Sequence, residues 1–171
     1  MKRILVIGYG NPLRSDDGAG PVVAQAVASL PGVETVIVHQ LLPELVDRLA
    51  NATCVIFVDA AQAPPGAGVE LALVRPVTDE ALAVGHTFTP GQLLGLTQLV
   101  HGRTPEAWLV TVPGCCFAVG EGLSPTAAAG VRQACGLIER LAGGLSLVSC
   151  SPAERTSDAP RESAPDRPAT G

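Results

Sequence analysis

The stretch Ile4-Leu5-Val6-Ile7-Gly8-Tyr9-Gly10-Asn11-Pro12-Leu13-Arg14-Ser15-Asp16-Asp17-Gly18-Ala19-Gly20 decides the fold. Its aliphatic run does not alternate with polar residues, which is the pattern of a strand buried on both faces of a parallel sheet. A glycine turn follows and delivers two adjacent carboxylates to the start of a helix. That helix is predicted over 19–30, with Pro21 tolerated because it falls in the first turn and Pro31-Gly32 as the stop. Two crowded carboxylates need an answering charge or donor: a metal, an incoming cation or backbone N–H groups.

Outward from this unit the alternation repeats. Residues 33–38 read as a strand, 43–50 as a helix and 53–60 as a second strand apolar on both faces. Residues 69–75 alternate in polarity, which suits a strand nearer an edge. Thr89-Pro90 and Ser124-Pro125 each pair a helix cap with a proline at the first helical position, so helices are predicted from there to about Val100 and about Leu141. Residues 107–112 are a strand between them. The expected fold is α/β, a three-layer sandwich whose mostly parallel sheet carries helices on both faces. It should occupy residues 1–148. From Ser149 the aliphatics thin out and Ser, Pro, Ala, Asp, Glu and Arg dominate, so 149–171 is expected to be a disordered tail.

The 171 residues are 47% hydrophobic but only 3% aromatic, so the core must be built from Val, Leu, Ile and Ala. Mean hydropathy is +0.34, yet no apolar run reaches the ~18 residues of a membrane span. Met1-Lys2-Arg3 runs directly into the first strand, too short an apolar segment for a secretory signal, and a cytoplasmic protein is expected. A net charge of −5 argues against a nucleic-acid partner held through phosphates. The five cysteines are odd in number and form no C-x-x-C pair, which fits reduced thiols. Cys54 and Cys135 lie in apolar stretches as core filler, and Cys115-Cys116 reads as a buried structural pair.

Ligands of such sheets collect at the carboxyl ends of the strands. Asp17 follows the first strand, Asp59 closes the third, and His86 lies in the loop before the helix capped by Thr89. Two carboxylates and one imidazole are an O,O,N set suited to a borderline divalent ion. Each residue also has an ordinary role open to it. Asp16 or Asp17 can cap the first helix, Asp59 can accept turn N–H groups, and His86 can be a solvated loop histidine. His39, at the end of a strand, and His101, at a helix C-terminus, read as structural. The dinucleotide fingerprint fails: Leu13 stands in place of its third glycine, Pro12 restrains Asn11, and His39-Gln40 stands where an acidic ribose ligand belongs.

Gly8-Tyr9-Gly10-Asn11-Pro12-Leu13 with Asp16-Asp17-Gly18-Ala19-Gly20 resembles the N-terminal signature of the hydrogenase maturation proteases. Val58-Asp59-Ala60 resembles that family's second motif, His86 its third, and Phe117–Pro125 its entry into the last helix. The match runs in order over about residues 3–142. The resemblance implies an aspartic-type endopeptidase that removes the C-terminal extension of a [NiFe] hydrogenase large-subunit precursor after nickel insertion. It implies that Asp17, Asp59 and His86 contact the metal and carry the catalysis. Nickel would arrive with the substrate, with no tightly bound cofactor of the protein's own, no membrane and no nucleic acid. Whether a metal-polarised water or an aspartate acting as base attacks the peptide bond stays open. The chain departs from the family pattern at Asp17, where many members carry Glu, and at His39–Glu44, where many carry an Asp-Gly-Gly-Thr-like stretch. Two other readings remain: a stand-alone metal-dependent hydrolase of a small substrate, and a non-catalytic nickel-site binding module.

Overall fold

The computed structural model describes residues 3–64, 66–77 and 88–144. His86 and the expected tail at 149–171 lie outside them. Strand β1 (Ile4–Tyr9) leads through a 3-10 turn at Ser15–Gly18 into helix α1 (Ala19–Val27). Strand β2 (Val33–Val38), a 3-10 turn at Pro43–Leu45, helix α2 (Val46–Asn51) and strand β3 (Cys54–Gln62) follow. Strand β4 (Glu70–Leu73), helix α3 (Pro90–His101), strand β5 (Glu106–Gly114) and helix α4 (Pro125–Ala142) complete the order. Thr89 caps α3 in a full capping box with Gln92, and the Ser124 hydroxyl caps α4 by accepting from the Ala127 N–H, as the two cap-proline pairs predict. Helix α1 stops at Val27, short of the predicted 30, and its last residues close in tight turns: Ala28 N–H donates to Gln25 O and Leu30 N–H to Val27 O.

The five strands lie in the order β2-β1-β3-β5-β4. All neighbours are parallel except β4, which pairs antiparallel with β5 at the edge. Successive residues of β1 point to opposite faces and feed two cores. Ile4 and Val6 join Ile56, Val58, Val110 and Val112 beneath Val23, Ala24 and Val27 of α1 and Val131, Ala134 and Ile138 of α4. Leu5 and Ile7 join Val55 and Phe57 beneath Val46 and Leu49 of α2 and Leu93 and Leu94 of α3. Cys54 and Cys135 are partly buried against the first core, as filler. This is the three-layer α/β sandwich the strand and helix pattern predicts. Among the described residues no helix is long and apolar enough to cross a membrane.

The chain leaves β1 to build β2 on one side and returns to build β3 on the other. The connections therefore diverge above the β1/β3 pair, and open α/β sheets leave a crevice at such a point. Helix α1 comes down very close to it. A side chain on Gly20 would overlap the carbonyl oxygens of Val58 and Tyr9, so only glycine permits that approach.

Candidate active site

The β1–β3 ladder ends at Gly8↔Val58, so Asp59 is the first residue of β3 beyond it, at the crevice edge. Its register partner on β5 is Thr111. Burial raises the Asp59 carboxyl above the usual carboxylate range, and the nearby negative charge of Asp17 adds to this. Two donors act the other way without reversing it: the Ala60 N–H at 2.8 Å and the Tyr9 hydroxyl. Burial first, then the Asp59 charge and the hydrogen bond to it, push the Tyr9 phenol far up, so Tyr9 stays protonated and donates.

Asp17 lies in the 3-10 turn between β1 and α1. One of its oxygens, Oδ2, accepts the Asn11 N–H at 2.8 Å, and its own N–H donates to Arg14 O at 3.2 Å. Asn11 Oδ1 in turn accepts from the Leu13 N–H at 3.0 Å, which shapes the turn ahead of Asp17. Gly10 holds φ +136°, and a Cβ there would overlap the Asp17 carbonyl oxygen, so this glycine lets the turn fold back onto the carboxylate. The Asp17 charge reaches Asp59, so these two of the three expected site residues stand near one another at the switch point.

Asp16 behaves differently from its neighbour. It is fully buried, at 0% exposure, and points away from the crevice into the segment that follows β5. Oδ2 accepts from the Cys115 N–H at 2.8 Å, the Cys116 N–H at 2.9 Å and the Ser124 hydroxyl at 2.8 Å; Oδ1 accepts the Ser124 N–H at 2.7 Å. Burial alone would raise this carboxyl, but the donors to its charged form together outweigh that and hold it below the usual range. The expectation that Asp16 or Asp17 caps the first helix is therefore corrected. Neither the 3-10 turn nor α1 has a side-chain cap, because both carboxylates are already engaged, one by backbone about a hundred residues away.

Cys115 and Cys116 are corrected as well. Both thiols are exposed, not buried, because Asp16 holds the two backbone N–H groups inward and the side chains are left outside. His39 is exposed just past β2, beside a cavity of about 110 Å³ that Gly10, Pro12 and Ile37 also line. His101 ends α3, with Nε2 3.0 Å from Asp47 Oδ1. His86 lies outside the described residues, so the expected third member of the set has no described position. Among the described residues no three His, Cys, Asp or Glu side chains are grouped to hold a metal ion. The sequence reading missed Tyr9 as a partner of Asp59. Its place one residue before Gly10, at the end of the first strand, was the available signal.

No protein-family model matches the chain, and no curated protein sequence matches it. Its structure does match solved structures. The [NiFe] hydrogenase maturation protease HybD from Thermococcus kodakarensis superposes with a TM-score of 0.65 at 23% identity, covering 83% of this chain and 99% of that one. The hydrogenase maturating endopeptidase HybD from E. coli gives 0.60 at 24%, covering 84% and 94%. The solution structure of an endopeptidase from Escherichia coli gives 0.61 at 25%, covering 85% and 95%. Superposition over most of this chain and nearly the whole of each of these proteins means that this chain has the fold of the [NiFe] hydrogenase maturation proteases.

Proposed function

We propose that the protein is the endopeptidase that removes the C-terminal extension of a [NiFe] hydrogenase large-subunit precursor once nickel is in place. One observation carries this reading: on the fold of these proteases, Asp17 and Asp59 stand at the carboxyl edge of β1 and β3 close enough for the Asp17 charge to add to the burial that raises the Asp59 carboxyl. The two neighbours named HybD are described as a hydrogenase maturation protease and a hydrogenase maturating endopeptidase, which supports the same substrate class here.

The chemistry follows from the two environments. A general base works best when its pKa lies near the operating pH, and Asp59 is the carboxyl displaced in that direction. It takes a proton from the attacking water as the water oxygen bonds to the scissile carbonyl carbon, and returns that proton to the departing amine. The Ala60 N–H holds Asp59 Oδ1 at 2.8 Å, and the Tyr9 hydroxyl favours the charged form of the same carboxyl. Asp17, held by the Asn11 N–H, supplies the second negative charge. Two carboxylates with so little positive charge between them attract a divalent cation, and oxygen donors with an imidazole suit nickel. The substrate's nickel is thus the recognition element for Asp17 and Asp59, with His86 as the expected third contact, and precursor without nickel would be left uncut.

The direct test is the intact mass of a large-subunit precursor after incubation with the protein, with and without nickel. Loss of a short C-terminal peptide from loaded precursor alone is the expected result. Asp59→Asn should abolish it; unchanged processing by that variant would remove Asp59 from the site. Firmly bound metal in the protein, together with no cleavage of any precursor, would favour a stand-alone metal-dependent hydrolase.

A further inference from the structure

We propose that Asp16 is a positioning residue: by holding the segment after β5 against the β1–α1 turn, its buried carboxylate fixes Asp17 opposite Asp59. The catalytic part of this rests on the endopeptidase reading above, whereas the placement of Asp17 does not.

Asp16 and Asp17 are consecutive in a 3-10 turn only four residues long. With three residues per turn, neighbouring side chains point about 120° apart, so fixing one sets the direction of the other. Asp16 is inserted into the segment 115–124, where the N–H groups of Cys115, Cys116 and Ser124 and the Ser124 hydroxyl saturate it. Asp17 is thereby turned to the opposite side, onto the Asn11 N–H and the crevice. The Asp16 contact also reaches the scaffold. Ser124 is the N-cap of α4, so one hydroxyl donates to Asp16 while accepting from the Ala127 N–H. The turn that carries Asp17 is in this way tied to an eighteen-residue helix packed on the sheet.

Around the carboxylate the two segments are laced together. Ser15 N–H donates to Gly120 O at 2.9 Å, Gly120 N–H to Leu13 O at 2.9 Å, and Asp16 N–H to Cys116 O at 2.9 Å. The Ser15 hydroxyl donates to Ala118 O, and the Arg14 guanidinium to Phe117 O. Ser15 itself sits at φ +50°, a left-handed conformation unfavourable for a residue with a Cβ, and this lacing holds it there. Most of the lacing lies at the surface, where water competes. The Asp16 carboxylate is its buried centre, and an ionised group whose four partners are all present is one that any loosening would leave exposed to a large desolvation cost.

The test uses the full chain with Asp16→Asn, which keeps the shape but turns an acceptor oxygen into an N–H₂ facing N–H donors. Two readouts are taken. The first is amide hydrogen exchange at Asn11, whose N–H reports the Asp17 carboxylate directly, with the Ile56 amide of β3 as the internal reference. Asn11 protection should fall at least about tenfold further than Ile56 protection, as expected for a local opening added to whatever global stability is lost. Unchanged Asn11 protection, or an equal loss at Ile56, would overturn the proposal. The second readout is steady-state cleavage of nickel-loaded precursor. kcat should fall at least about tenfold with KM within about twofold, because a small displacement of a reacting group costs rate more than binding. A raised KM with kcat kept, or wild-type kinetics in a merely less stable protein, would overturn the catalytic part. If Asp16→Asn fails to fold, Ser124→Ala decides, since it leaves the charge and removes one donor. It should shift Asn11 exchange and kcat in the same direction by a few-fold, and no shift in either overturns the proposal. If the wild-type protein cleaves no precursor, the endopeptidase reading fails while Asn11 exchange still decides the placement of Asp17.

Discussion

Asp16, at the carboxyl edge of the sheet, and Glu34, at the amino edge, solve the problem of a carboxylate in opposite ways. Glu34 Oε1 is 3.3 Å from Arg48 Nη1 and Oε2 is 3.9 Å from Arg3 Nη2, with all three side chains about half exposed or more. These pairs border an open cavity of about 300 Å³ together with Asp47 and Asn51. Among the described residues no cation pairs with Asp16. Its partners are three backbone N–H groups and one hydroxyl, and water does not reach it. An exposed ion pair gains little over hydration, whereas a buried ion with a full set of donors is costly to disturb. The cavity is therefore a poor guide to the chemistry. The charges that matter are at the other edge, where the backbone is ordered around them.

The comparison breaks most visibly at Asp16 itself. Asp16→Ala leaves buried N–H groups unpaired and should cost about 3 kcal/mol or more, read as a lowered urea midpoint. A cost near that of a surface substitution would mean the 115–124 segment simply swings out to water. Next in size, Gly20→Ala drives a methyl into the Val58 and Tyr9 carbonyls above the crevice and should cost about 1–3 kcal/mol by overpacking, checked by thermal unfolding.

Acid sharpens the contrast. The Asp16 carboxyl lies lower in the folded protein than in the unfolded chain, whose ordinary value is about 4. Its contribution is therefore complete above about pH 4 and is lost as pH falls through the lower folded value. Urea unfolding from about pH 6 downward should show this loss in the wild type, and Asp16→Asn should flatten that part of the curve. The smallest effect belongs to Glu34→Gln, within about 0.5 kcal/mol and smaller still in high salt. A Glu34 effect matching that of Asp16 would end the distinction between the two edges.

The elements were legible because their signals are local. Unbroken aliphatic runs marked β1 and β3, alternation marked β4 as an edge strand, and Thr89-Pro90 and Ser124-Pro125 announced the starts of α3 and α4 to the residue. The pairing of Asp17 with Asp59 was also legible, since the carboxyl ends of neighbouring parallel strands meet wherever the order switches. The roles within Asp16-Asp17 were not. Either aspartate can cap a helix, and nothing nearby in sequence shows that Cys116 and Ser124 claim the first of them. The same contact turned the Cys115-Cys116 thiols outward, although in the sequence they read as a buried structural pair.

The amino-acid sequence by itself determined the α/β layers and which acidic residues reach the carboxyl edge, because periodicity, caps and strand ends are read over a few residues. Only the tertiary structure decided which of two adjacent carboxylates is the anchor and which faces the crevice, and that Tyr9 stands against Asp59. The physical reason is that a buried carboxylate takes its role from the donors that surround it, and for Asp16 every side-chain partner lies about a hundred residues along the chain.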